Sequence, residues 1–182
     1  MKILLMLSCL FFFSACSSPE KKEQQPEKVI TDFLNWYKDN MHSLGKIELV
    51  NNSNNATYDS TKFYAVNFDS TEKYLTAFKN SGFVSDKYID QWRQYFKRCD
   101  DQFKKNPQND GPATGFEFDF VMWSQDYEDD LNNLAKINFS DKEIKTDQCI
   151  VNVIFSSGMK IKYWLTLESG KWLIDDIQNK AN

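Results

Sequence analysis

Two hydrophobic periods divide this chain, and their order most constrains its fold. Up to about Phe103 the apolar residues recur every three or four positions. From Phe116 onward they alternate or run continuously between short turns. Pro26 suits a helix's first turn, and Val29, Ile30, Phe33, Leu34 and Tyr37 then mark one face of a helix running to about Met41. A second helix is predicted after the cap-like Asp69-Ser70-Thr71-Glu72, with Tyr74, Leu75 and Phe78 on its stripe and Asn80-Ser81-Gly82 as its stop. The third is the clearest. From a cap at Ser85, residues Tyr88, Ile89, Trp92, Phe96, Cys99 and Phe103 share one face until Pro107 ends the run.

Beyond the loop of residues 106–115, Phe116, Phe118, Phe120 and Met122 alternate with Glu117, Asp119, Val121 and Trp123, which predicts a strand. Residues 125–134 read as a short helix or surface loop. Strands are then expected over 136–139, 144–155, 159–167 and 171–177, with Ser156-Ser157-Gly158 and Glu168-Ser169-Gly170 as hairpin turns. Helices followed by an antiparallel meander define an α+β class, with N-terminal helices packed on a curved antiparallel sheet.

The first residues set an address. Met1-Lys2 carries one positive charge and Ile3 to Phe13 is almost wholly apolar, too short for a span of about 20 residues and right for a secretory leader. Phe13-Ser14-Ala15-Cys16 resembles the bacterial lipobox, with Phe13 where leucine is typical. By that resemblance residues 1–15 are removed and the Cys16 thiol carries acyl chains of the palmitate kind. Each buried CH2 is worth about 0.8 kcal/mol, so two or three chains hold a protein on a bilayer essentially permanently. Residues 16–25, rich in Lys, Glu, Gln and Ser, are expected to be a solvated tether to one domain over 26–182 in the bacterial cell envelope.

Four cysteines are present. Cys9 leaves with the leader and Cys16 takes lipid, so Cys99 and Cys149 remain as the candidate disulfide in an oxidising compartment. The alternative is two buried thiols acting as small apolar groups. The chain holds 22 basic and 26 acidic residues with no basic stripe, which excludes a nucleic-acid footprint.

With the elements in this order, closing on the meander through Gly170-Lys171-Trp172, the layout resembles the cone-shaped, cystatin-like roll of the nuclear transport factor and ketosteroid isomerase superfamily. Asp119-Phe-Val-Met-Trp-Ser-Gln125-Asp126 is similar to an Asp-Pro-Phe-Leu-Cys-Ala-Gln-Asp motif of an uncharacterised bacterial family, often lipid-anchored, with that fold. Asp119, Gln125 and Asp126 match it, Phe120 replaces the proline and Trp123 the cysteine. The resemblance makes these positions a candidate pocket or motif and brings no established activity with it.

Candidate carboxylates are Asp119, Asp126, Glu128, Asp129, Asp130, Asp175 and Asp176. Asp119 stands out, because burial among three Phe would raise its pKa toward acid/base use. The competing reading has Asp119 and Gln125 bonding loop amides. His42 is the sole histidine, and no phosphate-binding, dinucleotide, nucleophile-elbow, zinc or calcium motif is present, so no cofactor, metal or catalytic residue is assigned. The expected role is a tethered binding module whose candidate partner is an envelope protein or a small apolar ligand. The rivals are a periplasmic immunity or inhibitor protein and a cone-fold enzyme using Asp119.

Overall fold

The computed structural model describes residues 24–53 and 59–179. The leader of residues 1–15, Cys16 with its expected lipid, and the tether up to residue 23 lie outside them. The elements run α1 (Pro26–Leu44), β1 (Val50–Asn51), β2 (Ala65–Val66), α2 (Phe68–Ser81), α3 (Asp86–Lys105), α4 (Glu128–Asn132), a 3-10 turn (Leu134–Lys136), then β3 (Asn138–Lys145), β4 (Gln148–Ile154), β5 (Lys160–Glu168) and β6 (Lys171–Asn179). The class is α+β: helices from the N-terminal half pack on a curved antiparallel sheet in the order β3-β4-β5-β6.

The three long helices form where the sequence places them. Ser85 caps α3, its side chain accepting from the Tyr88 N–H at 3.3 Å. All six residues of the α3 stripe are buried. Aromatic and Cys residues are mediocre helix formers, each costing up to about 0.7 kcal/mol against alanine, but burying such a side chain returns about 1.5–3 kcal/mol, so packing decides. The cap of α2 is Asn67, two residues before the Asp69 suggested by the sequence, and its side chain accepts from the Ser70 N–H at 3.1 Å. Gly82 ends that helix at φ +71°.

One face of the sheet, carrying Val151, Val153, Ile161, Tyr163, Leu165, Trp172 and Ile174, packs under Val29, Ile30, Phe33 and Leu34 of α1 and joins a continuous buried core. On the opposite face Ile150 of β4 and Trp164 of β5 are half-buried, while Asn152 of β4 is buried and donates to Asp141 at 3.1 Å. The outer edge of β6 is partly closed. The Ile174 N–H donates to the Phe83 carbonyl at 2.8 Å and the Ser85 N–H to the Ile174 carbonyl at 3.0 Å, seating the start of α3 against β6.

Three expectations are corrected. Residues 116–122 form bends followed by a turn over 120–122. The alternation of Phe116, Phe118 and Phe120 goes with the packing of the Phe116 and Phe118 rings on Phe120, at centroid distances of 5.8 and 5.6 Å, and the segment pairs with no strand of the described sheets. The strands assigned to 136–139 and 144–155 are a hairpin of β3 and β4 turning at Thr146-Asp147, with Thr146 at φ +50°. Finally, Cys99 and Cys149 are two free buried thiols. Cys99 on α3 abuts Gly115, whereas Cys149 lies on β4 opposite Leu165, so each occupies its own apolar niche in place of the expected bridge.

Candidate functional site

The Asp119 loop is built around one carboxylate. Its Oδ1 accepts the Val121 and Met122 N–H groups at 2.9 and 2.7 Å, and its Oδ2 accepts the Tyr37 hydroxyl from α1. Main-chain bonds close the same turn: Asp119 N–H to the Ser124 carbonyl at 3.1 Å, and Trp123 N–H to the Asp119 carbonyl at 2.7 Å. Burial pushes the Asp119 carboxyl above its ordinary range, and the Tyr37 hydroxyl and two amides pull back only partly. Tyr37 is driven far up by its own burial and by neighbouring groups, so it remains a proton donor. Every oxygen of Asp119 is thus committed to holding the loop, the role the residues suggested beside the catalytic one.

The other motif residues divide. Gln125 and Asp126 are exposed; the Gln125 amide donates to the Glu117 carbonyl at 2.6 Å and the Asp126 N–H to Ser124 Oγ at 3.1 Å, both local braces. Trp123, at φ +54°, is aimed across to the sheet. Its Nε1 donates to the Ile177 carbonyl of β6 at 3.0 Å, and its ring stacks on Phe118 at 5.0 Å and meets Trp92 at 6.0 Å. The loop therefore delivers one aromatic surface to the α3–β6 junction.

Two grooves with no lining residue in common border that junction and together make up its trough. Its distal part, about 290 Å³, lies among Trp92, Tyr95 and Arg98 of α3, Trp123, and Asp176 and Gln178 of β6. Its other part, about 160 Å³, lies between Lys87 of α3 and the sheet residues Trp164, Ile150 and Asp175. Lys87, Gln91, Tyr95 and Arg98 are four, four and three residues apart, one stripe of the helix, so the two parts follow the same wall. Arg98 sits over the Tyr95 ring at 5.8 Å, and Lys162 over Trp164 at 5.2 Å.

The sequence did not single out Lys87, Gln91, Tyr95, Arg98 or Trp164. One signal was present: adjacent Asp175 and Asp176 break the alternation of a strand, and the register slips there, Trp164 facing Asp176 but Leu165 facing Ile174.

The remaining candidates are placed elsewhere. Asp130 is buried and accepts Ser156 Oγ, Ser157 N–H and Ser157 Oγ at 3.0, 2.9 and 2.6 Å, anchoring the β4–β5 turn. Asp126, Glu128 and Asp129 are exposed and make no ion pair among the described residues, and His42 is exposed in the last turn of α1. No described group of three or more His, Cys, Asp or Glu side chains could hold a metal ion, and no described helix is long and apolar enough to cross a membrane.

No protein-family model matches the chain, and no curated protein matches it. Among solved structures, a chain of the type VI native effector-immunity complex Tae3-Tai3 from Ralstonia pickettii aligns over 87% of this chain and 97% of its own, at 16% identity and a TM-score of 0.46. A chain of the selenomethionine form of that complex aligns over 87% and 98%, at 17% identity and a TM-score of 0.42. Similarity at this level carries neither partner nor activity across.

Proposed function

We propose that this chain is a lipid-anchored protein of the bacterial envelope that works as a protein-binding module, docking its partner along the α3–β6 trough. One observation carries the reading: the aromatic interior is filled and Asp119 fully engaged, so the accommodating surface lies outside. Phe120 packs against the rings of Tyr74, Trp92, Tyr95, Phe96, Phe116 and Phe118 at centroid distances of 4.8–6.2 Å. The grooves are open, and the larger, at about 290 Å³, only reaches the lower end of the roughly 300–1,000 Å³ of an enclosing small-molecule site. The half-buried Tyr95 and the exposed Arg98 are of the residue types that dominate protein interfaces. This leaves the small apolar ligand and the Asp119 enzyme as the less supported readings.

A photo-crosslinking amino acid at Gln91 or Gln178, in cells producing the full chain, tests it. An adduct with one envelope protein is expected at both positions and absent at Asp39 on α1. No adduct in the trough, or the same adduct at Asp39, would refute the reading. The anchor has its own check: Cys16→Ala should move the chain from the membrane to the soluble fraction and abolish incorporation of a clickable palmitate.

The exposed Asp126, Glu128 and Asp129, without an ion pair among the described residues, favour a narrower form, an immunity or inhibitor protein that occludes a basic partner. Neutralising all three should then weaken the Gln91 adduct, and raised salt should do the same.

A further inference from the structure

We propose that the groove between Trp164 and Asp175 is a receptor for one arginine side chain of the partner; this rests on the docking reading and names the chemistry of its centre. Asp175 is the extra residue of the β6 bulge and is only 5% exposed. Its Oδ1 is buried with no hydrogen-bond partner among the described residues, while Oδ2 meets Lys87 Nζ at 3.3 Å. A charge-assisted N–H···O bond runs at about 2.7–2.9 Å, so this contact is a loose one. Asp175 lines the groove while this oxygen itself is shut off from solvent, so an incoming donor meets it once the Lys87 ammonium beside it moves aside.

The surroundings select the donor. The groove holds about 160 Å³, too little for a cofactor-sized molecule, for which roughly 300 Å³ is the lower bound, and enough for one long side chain. Trp164 supplies an indole beside the carboxylate, and the chain already holds Lys162 over that ring at 5.2 Å. A planar guanidinium can stack on the indole and donate to Asp175 at once, which an ammonium point charge cannot. Lys87, Glu143 and Lys145 complete the charged lining with Asp175, two of each sign, so net field does not choose the occupant and the orphan oxygen does. The Lys87 side chain is 60% exposed and free to swing off Asp175 as the guanidinium arrives.

The full chain in detergent, labelled with 5-fluorotryptophan, can be titrated with acetyl-arginine methylamide and with the lysine and glutamate analogues. Trp164 is one of five Trp, and its fluorine resonance is identified by its loss in Trp164→Phe. The arginine amide should shift that resonance saturably. Asp175→Asn should weaken binding about tenfold or more, its other resonances staying at wild-type positions to show that it is folded. Lys87→Gln should tighten binding severalfold, because it removes the internal competitor, an effect that a merely structural Asp175 would not produce. No saturable shift, an equal response to the lysine or glutamate amide, or unchanged binding in Asp175→Asn would overturn the assignment. Should the arginine amide fail while the crosslinks at Gln91 and Gln178 persist, the receptor falls and the docking face stands. Should the crosslinks fail while the arginine amide still binds, the docking face falls and the guanidinium site stands.

Discussion

Asp119 holds three hydrogen bonds on one half-buried carboxylate, so truncating it strands two amides and the Tyr37 hydroxyl at once. Asp119→Ala should cost about 2–4 kcal/mol in urea unfolding. Asp119→Asn keeps an acceptor for the amides and should cost less. Its pH behaviour follows from the raised carboxyl pKa: the folded chain holds the proton more tightly than the unfolded one, so the favourable contribution is complete below the unfolded value and lost as pH rises through the folded one. The carboxamide of the variant does not titrate. The stability gap between wild type and Asp119→Asn should therefore narrow, or turn in favour of the variant, as pH rises through that window. The thiols offer a second test. Burial raises both, Cys149 to about 11, so neither is an appreciable thiolate near neutrality and both should resist alkylation in the folded chain. After unfolding without reductant, peptides containing Cys99 and Cys149 should each carry the label.

At the scale of elements, α3 and the aromatic loop approach closely at Gly115. Gly115 sits at φ +88°, and a Cβ there would lie 2.9 Å from Cys99 Sγ and 3.1 Å from the Tyr95 hydroxyl. Gly115→Ala should therefore lose on the order of 2–3 kcal/mol through backbone strain and overlap. Adding Cys99→Ala should recover part of it in a double-mutant cycle, the φ penalty remaining. The helices were legible because each buries a stripe whose spacing survives in the sequence, as Tyr88 to Phe103 does. The Asp119 loop has the sequence pattern of a strand because side chains packed on one another can imitate the alternation of a pleat. The Thr146-Asp147 turn is hidden because no Gly, Pro or Asn marks it. Asp119 was visible through its motif, whereas the trough was not: Lys87 and Trp164 are 77 positions apart, and only the seating of α3 on the β6 edge brings them to one groove.

The molecule as a whole shares one continuous core, to which all three long helices and the sheet contribute. Loss of far-ultraviolet ellipticity and of tryptophan fluorescence should accordingly coincide in one transition; separate midpoints would show that the helices come away from the sheet. The last consequence concerns β3. β6 has its outer rim occupied by Phe83–Ser85, and β3 forms the opposite border of the sheet, where the register slips between Ser140 and Glu143, Asp141 stands at φ +48°, and Lys142 reaches back to Glu27. A kinked, charged border is a poor template for a neighbour's backbone. Confinement to a membrane, as proposed, would crowd copies of this chain into two dimensions and raise their effective concentration. Under that proposed crowding, the irregularity of β3 would disfavour edge-to-edge pairing between copies and so leave the proposed docking face of each free.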